Sequence, residues 1–252
     1  MINLTYDLHI HSCLSPCGDD DMTPANIVGM AAVKGLDVIA LTDHNSCKNC
    51  PAVMKFAEEY GVLAIPGMEI NTSEEVHAVC LFPDLESALR FDSYVYERLI
   101  PFPNKEEVFG KQQIYGMEDE CVGTEPLLLI NSVDISFDYL WDLVRSYGGV
   151  MFPAHIDKTA NSLVSNLGFV PPDSKFKTAE VKDLKKLHEL RKNNPYLDQC
   201  RIISNSDAHY LEHINEPELT IGVEEKSIEG VLNALGGGRV RVRPESGGGA
   251  GR

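Results

Sequence analysis

Asp7-Leu8-His9-Ile10-His11, close to the first residue, is the stretch from which the rest of the chain is read. On a strand, residues i and i+2 face the same way because strand side chains alternate. A short strand ending in His-x-His therefore aims two imidazoles at one point, as a metal ion requires. The chain then repeats the design, an apolar run that ends in a His or a carboxylate. Leu41-Thr42-Asp43-His44, Gly67-Met68-Glu69, Glu75-Val76-His77, Pro153-Ala154-His155 and Ser206-Asp207-Ala208-His209 are further instances. Six of the eight histidines fall in these places, which scatter would rarely produce.

Outward from that stretch, Ile2 to Ile10 is the first strand. A turn-rich loop from Ser12 to Met22 follows, holding Cys13, Cys17 and the run Asp19-Asp20-Asp21. Thr23-Pro24 reads as N-cap and first helical residue, and Gly35 as the stop. Val38 to Leu41 is wholly apolar, as buried parallel strands are. A second helix ends at Tyr60-Gly61. Val62 to Ile65 is the third strand, delivering Glu69, and Val76 to Phe82 the fourth, delivering His77 from its start. Asp84 to Arg98 reads as a helix. Ile100 to Glu125 then loses periodicity, apart from a small hairpin of Gln112 to Tyr115 with Cys121 to Gly123. An excursion of that length is usually a lid or a binding loop. A helix at Ser136 to Tyr147 and a strand at Gly149 to Pro153 resume the pattern. Phe176 to Val181, Arg201 to Ser204 and Ile221 to Val223 read as strands, and Leu184 to Asn193 and Ser227 to Leu235 as helices.

Seven strand-like runs alternating with helices suggest an α/β fold, a parallel (βα) barrel, whose chemistry sits at the strand C-termini. The His and carboxylate residues fall at those ends. The expected organisation is one domain over 1–245 with a lid-like insert at about 100–126. Residues 246–252 are expected to form a Gly-rich flexible tail.

Apolar residues make up 43% of the 252, ample for one core of that size. The net charge of −16 argues against a long polyanion as partner, since Lys and Arg hold phosphate backbones. The first strand starts almost at once, so no apolar leader is expected, and no run is long enough to span a bilayer. Seven cysteines, two of them in a C-x-x-C, do not fit a secreted disulfide framework. The expected location is cytoplasmic.

Each candidate has a plainer reading. A single strand-end histidine is more often a hydrogen-bonded loop residue than a ligand, and His77 sits on a strand that tolerates a buried imidazole. The pairs His9 with His11 and Asp207 with His209 favour metal, and His44, Glu69 and His155 join them. Asp43 reads as a carboxylate that orients a neighbouring imidazole. Lys158, three residues past His155, is placed to contact a phosphate, or is an ordinary surface lysine. His188 and His213 lack partners and read as solvated. Cys13 and Cys17, in the loop after the first strand, face Cys47 and Cys50, in the loop after the second. That quartet has the thiolate count for a structural zinc, an iron–sulfur centre or a redox pair. The plain alternative is four packing thiols.

The runs Asp7-Leu8-His9-Ile10-His11-Ser12, Leu41-Thr42-Asp43-His44-Asn45, Pro153-Ala154-His155 and Ser206-Asp207-Ala208-His209 resemble the four motifs of the PHP (polymerase and histidinol phosphatase) superfamily, in order, from the first strand to about residue 223. The resemblance implies a distorted seven-stranded (βα) barrel with two or three divalent metals at the strand C-termini. It implies a first site of His9, His11, Glu69 and Asp207, and a second of Glu69, His77 and His155, with Glu69 bridging. His44 and His209 resemble two ligands of a third. For the remaining ligand, counting back from Thr23-Pro24 selects Asp19, whereas counting forward from His11 falls nearer Cys17. Cys17-Gly18-Asp19 resembles the Cys-Gly-His of some histidinol phosphatases, which favours Asp19; the alternative is a solvated acidic turn.

The implied activity is phosphoester hydrolysis of a small phosphorylated metabolite or nucleotide by metal-activated water. Zinc, manganese and iron all suit nitrogen and oxygen ligands. The motifs look closest to the stand-alone branch with nucleoside 3′,5′-bisphosphate phosphatases and 5′–3′ exonucleases, so short oligonucleotides are alternative substrates, as is a histidinol-phosphate-type ester. An amidohydrolase also opens a barrel with His-x-His, but it expects a bridging carbamylated Lys, and neither mid-barrel strand offers one. A metal or redox sensor without turnover is disfavoured by the intact ligand set.

Overall fold

The computed structural model describes residues 1–237; the tail at 246–252 lies outside the described residues. In chain order the elements are β1 (Ile2–Ile10), α1 (Pro24–Lys34), β2 (Val38–Leu41), α2 (Cys50–Tyr60), β3 (Leu63–Asn71), β4 (His77–Leu81), α3 (Leu85–Tyr96), α4 (Glu106–Phe109), β5 (Gln113–Tyr115), β6 (Cys121–Thr124), α5 (Phe137–Ser146), β7 (Val150–Pro153), α6 (Leu163–Leu167), β8 (Thr178–Glu180), α7 (Leu187–Asn193), β9 (Arg201–Ile203), β10 (Thr220–Val223) and α8 (Ile228–Gly236). The helix ends follow their residues. Thr23 caps α1 by accepting from the Asn26 amide, and Gly35 closes it in the left-handed conformation.

The main sheet has six strands in the order β10-β1-β2-β3-β4-β7. β1, β2 and β3 run parallel, whereas β4 is antiparallel to both β3 and β7, and β10 is antiparallel to β1. The expected α/β fold is present, but its main sheet is a mixed, curled half-barrel of six strands where a parallel barrel of seven was expected. The physical reason lies between Asn71 and His77, where the link is too short for a parallel crossover and only a hairpin closes it. A separate parallel pair, β8–β9, continues the curve. The Ile156 amide donates to Glu180 O from the end of β7, and the His11 amide donates to Ala208 O in the loop after β9.

One face of this sheet is the interior. Leu4, Tyr6, Leu8, Val38, Ala40, Ile65, Val79, Leu81, Val150 and Phe152 pack there with Leu232 and Leu235 of α8. The opposite face, with Ile39, Leu41, Met68, Ile70 and Met151, packs with residues of α1, α2, α3 and α5. β1 changes phase partway. Its register against β2 gains one residue between Asp7 and Ile10. Before this bulge Leu4, Tyr6 and Leu8 face inward; beyond it Ile10 packs on the outer face, so His9 and His11 face inward. Without the extra residue both imidazoles would point at the helices.

The insert is pinned rather than loose. Gln112, fully buried, donates to the carbonyls of Glu125 and Leu127 and accepts from the Leu129 amide. The expected hairpin forms as β5 and β6. Gln113 donates to Cys13 O, and Gly110, at φ +103°, passes so close to Pro16 that a Cβ would collide with the Pro16 carbonyl. The insert thus braces the loop that follows β1. No helix among the described residues is long and apolar enough to cross a membrane.

Candidate metal centre

Glu69, on the inward face of β3 and buried, is the hub. Its Oε1 lies 3.0 Å from His155 Nε2, 3.1 Å from His77 Nδ1 and 3.3 Å from His9 Nε2. Its Oε2 lies 3.1 Å from His44 Nδ1 and 3.4 Å from His11 Nε2. Because β4 returns antiparallel, its first residue His77 reaches the same end of the sheet as the end of β3. Asp207 Oδ1 approaches His9 Nε2 and His11 Nε2 at 3.5 and 3.4 Å. The His209 ring stacks on His11 at 4.3 Å between centroids. All six histidines and both carboxylates picked from strand ends therefore converge. Three overlapping groups of ligand atoms result: His9, His11 and Glu69; His44, Glu69 and His77; and His11, His44 and His209.

The hydrogen bonds around the cluster fix which nitrogens carry protons. His9 Nδ1 lies 3.1 and 3.0 Å from the two oxygens of Glu180, so it is the donor and its Nε2 holds a lone pair. His11 Nδ1 sits 2.9 Å from Ser15 Oγ, whose own hydrogen goes to Asp43 Oδ1 at 2.7 Å, so His11 also presents Nε2 as a lone pair. His209 Nδ1 donates to Asp207 O at 2.9 Å. With both rings neutral, the lone pairs of His9 and His11 would face each other at 3.1 Å beside two carboxylates. Such an arrangement is repulsive without a cation between them. His44 Nδ1 is buried and, although 3.1 Å from Glu69 Oε2, makes no well-aligned hydrogen bond. Neutral imidazoles, clustered carboxylates and an orphaned ring nitrogen fit divalent metal ions.

Burial opposes charge on His9 and His11, but the neighbouring carboxylates outweigh it and raise both, so a positive charge is favoured between them. Burial, with His11 nearby, pushes His44 down to about 3 and His209 down to about 4, so both are neutral near pH 7. Burial opposes charge on Glu69 and Asp207, but the surrounding histidines outweigh it and hold both well below the ordinary carboxylate range. His155 and Asp207 adopt positive φ, +27° and +50°, an uncommon conformation that sites tolerate when surroundings enforce it.

Other sequence candidates take different places. Asp43 accepts from Ser12 N, Ser12 Oγ and Ser15 Oγ and so reaches His11 through Ser15. Lys158 Nζ holds Asp207 Oδ2. Asp19 donates its amide to His209 O at 3.0 Å, but its carboxylate accepts from the Asp21 amide and belongs to none of the three ligand groups. The cysteine quartet does not assemble. Cys13 points its sulfur at Gln113 O, Cys47 and Cys50 both point at Gly67 O, and Cys17 is exposed. No cysteine enters a group of potential ligands among the described residues. The shared loop end does not suffice, because the Cys47–Cys50 pair faces β3 rather than the loop after β1. His188 and His213 are exposed.

Glu180 escaped the sequence reading. It takes His9 Nδ1, the His155 amide at 3.0 Å and Asn205 Nδ2 at 2.6 Å, and is fully buried. Its signal was present: Thr178-Ala179-Glu180 ends the run from Phe176 in a carboxylate, like the others. Asn205 also accepts from Leu8 N, tying the end of β9 to β1.

Comparison with known proteins places this geometry. The profile of the PHP domain matches residues 7–237. An uncharacterized protein of Methanocaldococcus jannaschii is 36% identical over 92 residues, covering 33% of this chain and 54% of that one. A 5′-3′ exoribonuclease of Haemophilus influenzae is 37% identical over 79 residues, 30% of this chain and 28% of its own length. The chain thus spans about half, or less, of the curated relatives it matches. The lesion-specific endonuclease Q of Pyrococcus furiosus superposes with a TM-score of 0.63 over 94% of this chain and 56% of its own, at 20% identity. That likeness shows the fold. A further endonuclease Q structure holds a 27-mer duplex substrate with an abasic lesion.

Proposed function

The chain belongs to the PHP domain family, and on that premise we propose that it is a metal-dependent phosphoesterase acting on a small phosphorylated metabolite or nucleotide. The observation that carries the reading is Glu69 amid five imidazoles, with the His9 and His11 lone pairs converging beside it. His9, His11, Glu69 and Asp207 would hold one ion, and Glu69, His77 and His155 a second. His44 and His209, joined by His11 or Asp19, would hold a third. Manganese, zinc and iron suit these donors. When bound, such ions lower the pKa of a coordinated water and take up charge on phosphoryl oxygens.

The chain's own groups supply the rest. Glu180 and Ser15 take the Nδ1 side of His9 and His11, so their inward Nε2 atoms are left to a metal ion, which would displace the protons held there without it. Lys158, beside Asp207, is positioned to meet a phosphoryl oxygen as a point charge. Hydrolysis joins a water oxygen to phosphorus and breaks the ester P–O bond, and the departing alkoxide takes a proton. A second reading, 5′–3′ exonuclease on short oligonucleotides, is supported by the exoribonuclease relative.

Asp207→Ala tests the proposal. Activity on phosphoesters should fall at least a thousandfold and bound metal should drop, while circular dichroism stays that of the wild type. A variant that hydrolyses at the wild-type rate sinks the mechanism.

A further inference from the structure

Asn49 is the N-cap residue of α2, yet its side chain makes no capping hydrogen bond. Asparagine is among the best N-caps, so a buried one turned away from its own helix serves other partners. Here they are the β5–β6 hairpin and the loop after β1. Asn49 Oδ1 accepts from the Tyr115 amide at 2.9 Å, and Nδ2 donates to Gln113 O at 3.1 Å and to Ser12 Oγ at 2.9 Å. The C-x-x-C holds this residue in place. The Cys50 amide donates to Cys47 O at 2.9 Å, and the two sulfurs lie 3.2 and 3.5 Å from Gly67 O, so the turn that carries Asn49 is fastened to β3.

The hairpin sets the direction of every hydrogen bond that follows. A backbone amide only donates and a backbone carbonyl only accepts. Tyr115 N and Gln113 O therefore fix the two ends of the Asn49 amide and send its remaining N–H to Ser12 Oγ. Ser12 Oγ, accepting there, gives its own hydrogen to Asp43 Oδ2 at 2.7 Å. As a carboxylate, Asp43 accepts at Oδ1 from the Ser12 amide and from Ser15 Oγ, each at 2.7 Å. With its hydrogen committed, Ser15 Oγ can only accept, and it does so from the His44 amide at 3.1 Å and from His11 Nδ1 at 2.9 Å. Asn49, Ser12, Asp43, Ser15 and His11 are all buried, so water does not interrupt the series.

We propose that Asn49 is a positioning residue of the metal centre, through which the β5–β6 hairpin holds the His11 ring with Nδ1 outward and Nε2 toward the ligand cluster. The insert is then part of the centre rather than a cover over it. The proposal rests on reading the cluster as a metal site and is independent of the substrate.

A double-mutant cycle tests the route. Asn49→Ala and Ser12→Ala each cut one link, and Leu235→Ala, in the interior of α8, serves as a destabilised control away from the ligand groups. In chelator competition each single relay variant should bind manganese about tenfold more weakly or worse, whereas Leu235→Ala should match the wild type. The double variant should be no weaker than the weaker single one, because both act on His11 through the same hydroxyl. A smaller loss in either single variant, losses that multiply in the double, or an equal loss in Leu235→Ala overturns the proposal. A second readout needs neither metal nor turnover. In nitrogen-15 spectra of the chelated protein, the His11 Nδ1 proton should exchange with solvent about tenfold faster, or more, in Asn49→Ala than in the wild type. If the wild type binds no manganese, the metal reading fails and this exchange rate alone decides the relay; an unchanged rate overturns it.

Discussion

Glu180 ties a strand and two loops together: it takes the His9 ring on β1, the backbone of His155 after β7 and the amide of Asn205 after β9. Burial works against its charge, yet His9 overcomes this and keeps the carboxyl below the usual range. Glu180→Gln preserves the shape but removes the charge and one acceptor, and an amide accepts only through its oxygen. The His9 ring then loses the partner that fixes its tautomer. Metal affinity should fall about 10–100-fold, the usual effect of losing a ligand's outer partner. Chelator competition measures this. An affinity equal to the wild type would mean that Ser15, Asp207 and packing suffice to orient the histidine pair. Sequence could find Glu180 as one more strand-end carboxylate, but not its partner, which is 171 residues away.

The insert between α3 and α5 depends on Gln112, whose side-chain amide satisfies two carbonyls and one amide in a fully buried place. Gln112→Ala leaves those groups without partners. A buried unsatisfied group costs about 1–3 kcal/mol, and water entering the space recovers part of it, so a loss of about 2–4 kcal/mol is expected in denaturant unfolding. Hydrogen exchange of the Gln113 and Tyr115 amides should speed up with it; protection equal to wild type would show that the hairpin is held elsewhere. The same segment shows what was legible beforehand. The β5–β6 hairpin is visible in Gln112 to Gly123 because turn residues and short apolar runs are local signals. Its anchoring is not, since Asn49, Gln113 and Cys13 meet only through tertiary structure. β1, β2 and the cap at Thr23 were equally readable. The bulge in β1 was not, because Leu8 and His9 look like ordinary alternation until β2 sets the register. The antiparallel sense of β4 could have been inferred from the short link after Asn71.

Charge over the whole chain bears on substrate size. At −16 the surface offers little basic track for a polyanion. Mononucleotides or short oligonucleotides should be cleaved with higher kcat/KM than long single strands, and efficient processive degradation of long RNA or DNA would refute this. The buried cluster also links stability to pH. Without metal, burial disfavours a charged His9, but Glu180, Glu69 and Asp207 outweigh it and raise its pKa well above the ordinary value. His11 is raised too, burial again opposing and Asp207 and Glu69 prevailing. A group raised on folding contributes stability that is complete below its unfolded value, about 6.5, and is lost as pH climbs through the folded value. Glu69 and Glu180 are depressed, so their contribution is present above about 4.3 and is lost only in acid. His44 and His209, depressed by burial, work the other way and lose stability as pH falls below about 6.5, so the Tm of the chelated protein should peak near pH 6.5 and fall on either side. A bound divalent ion takes the place of the protons between the His9 and His11 nitrogens, and at 100 times its Kd it adds about 2.7 kcal/mol. The Tm of manganese-loaded protein should stay level as the pH rises, so its margin over chelated protein widens from pH 6 to pH 9. Differential scanning calorimetry with and without chelator measures that margin, and one that narrows with rising pH would show that protons, not metal, are the natural occupants of the cluster.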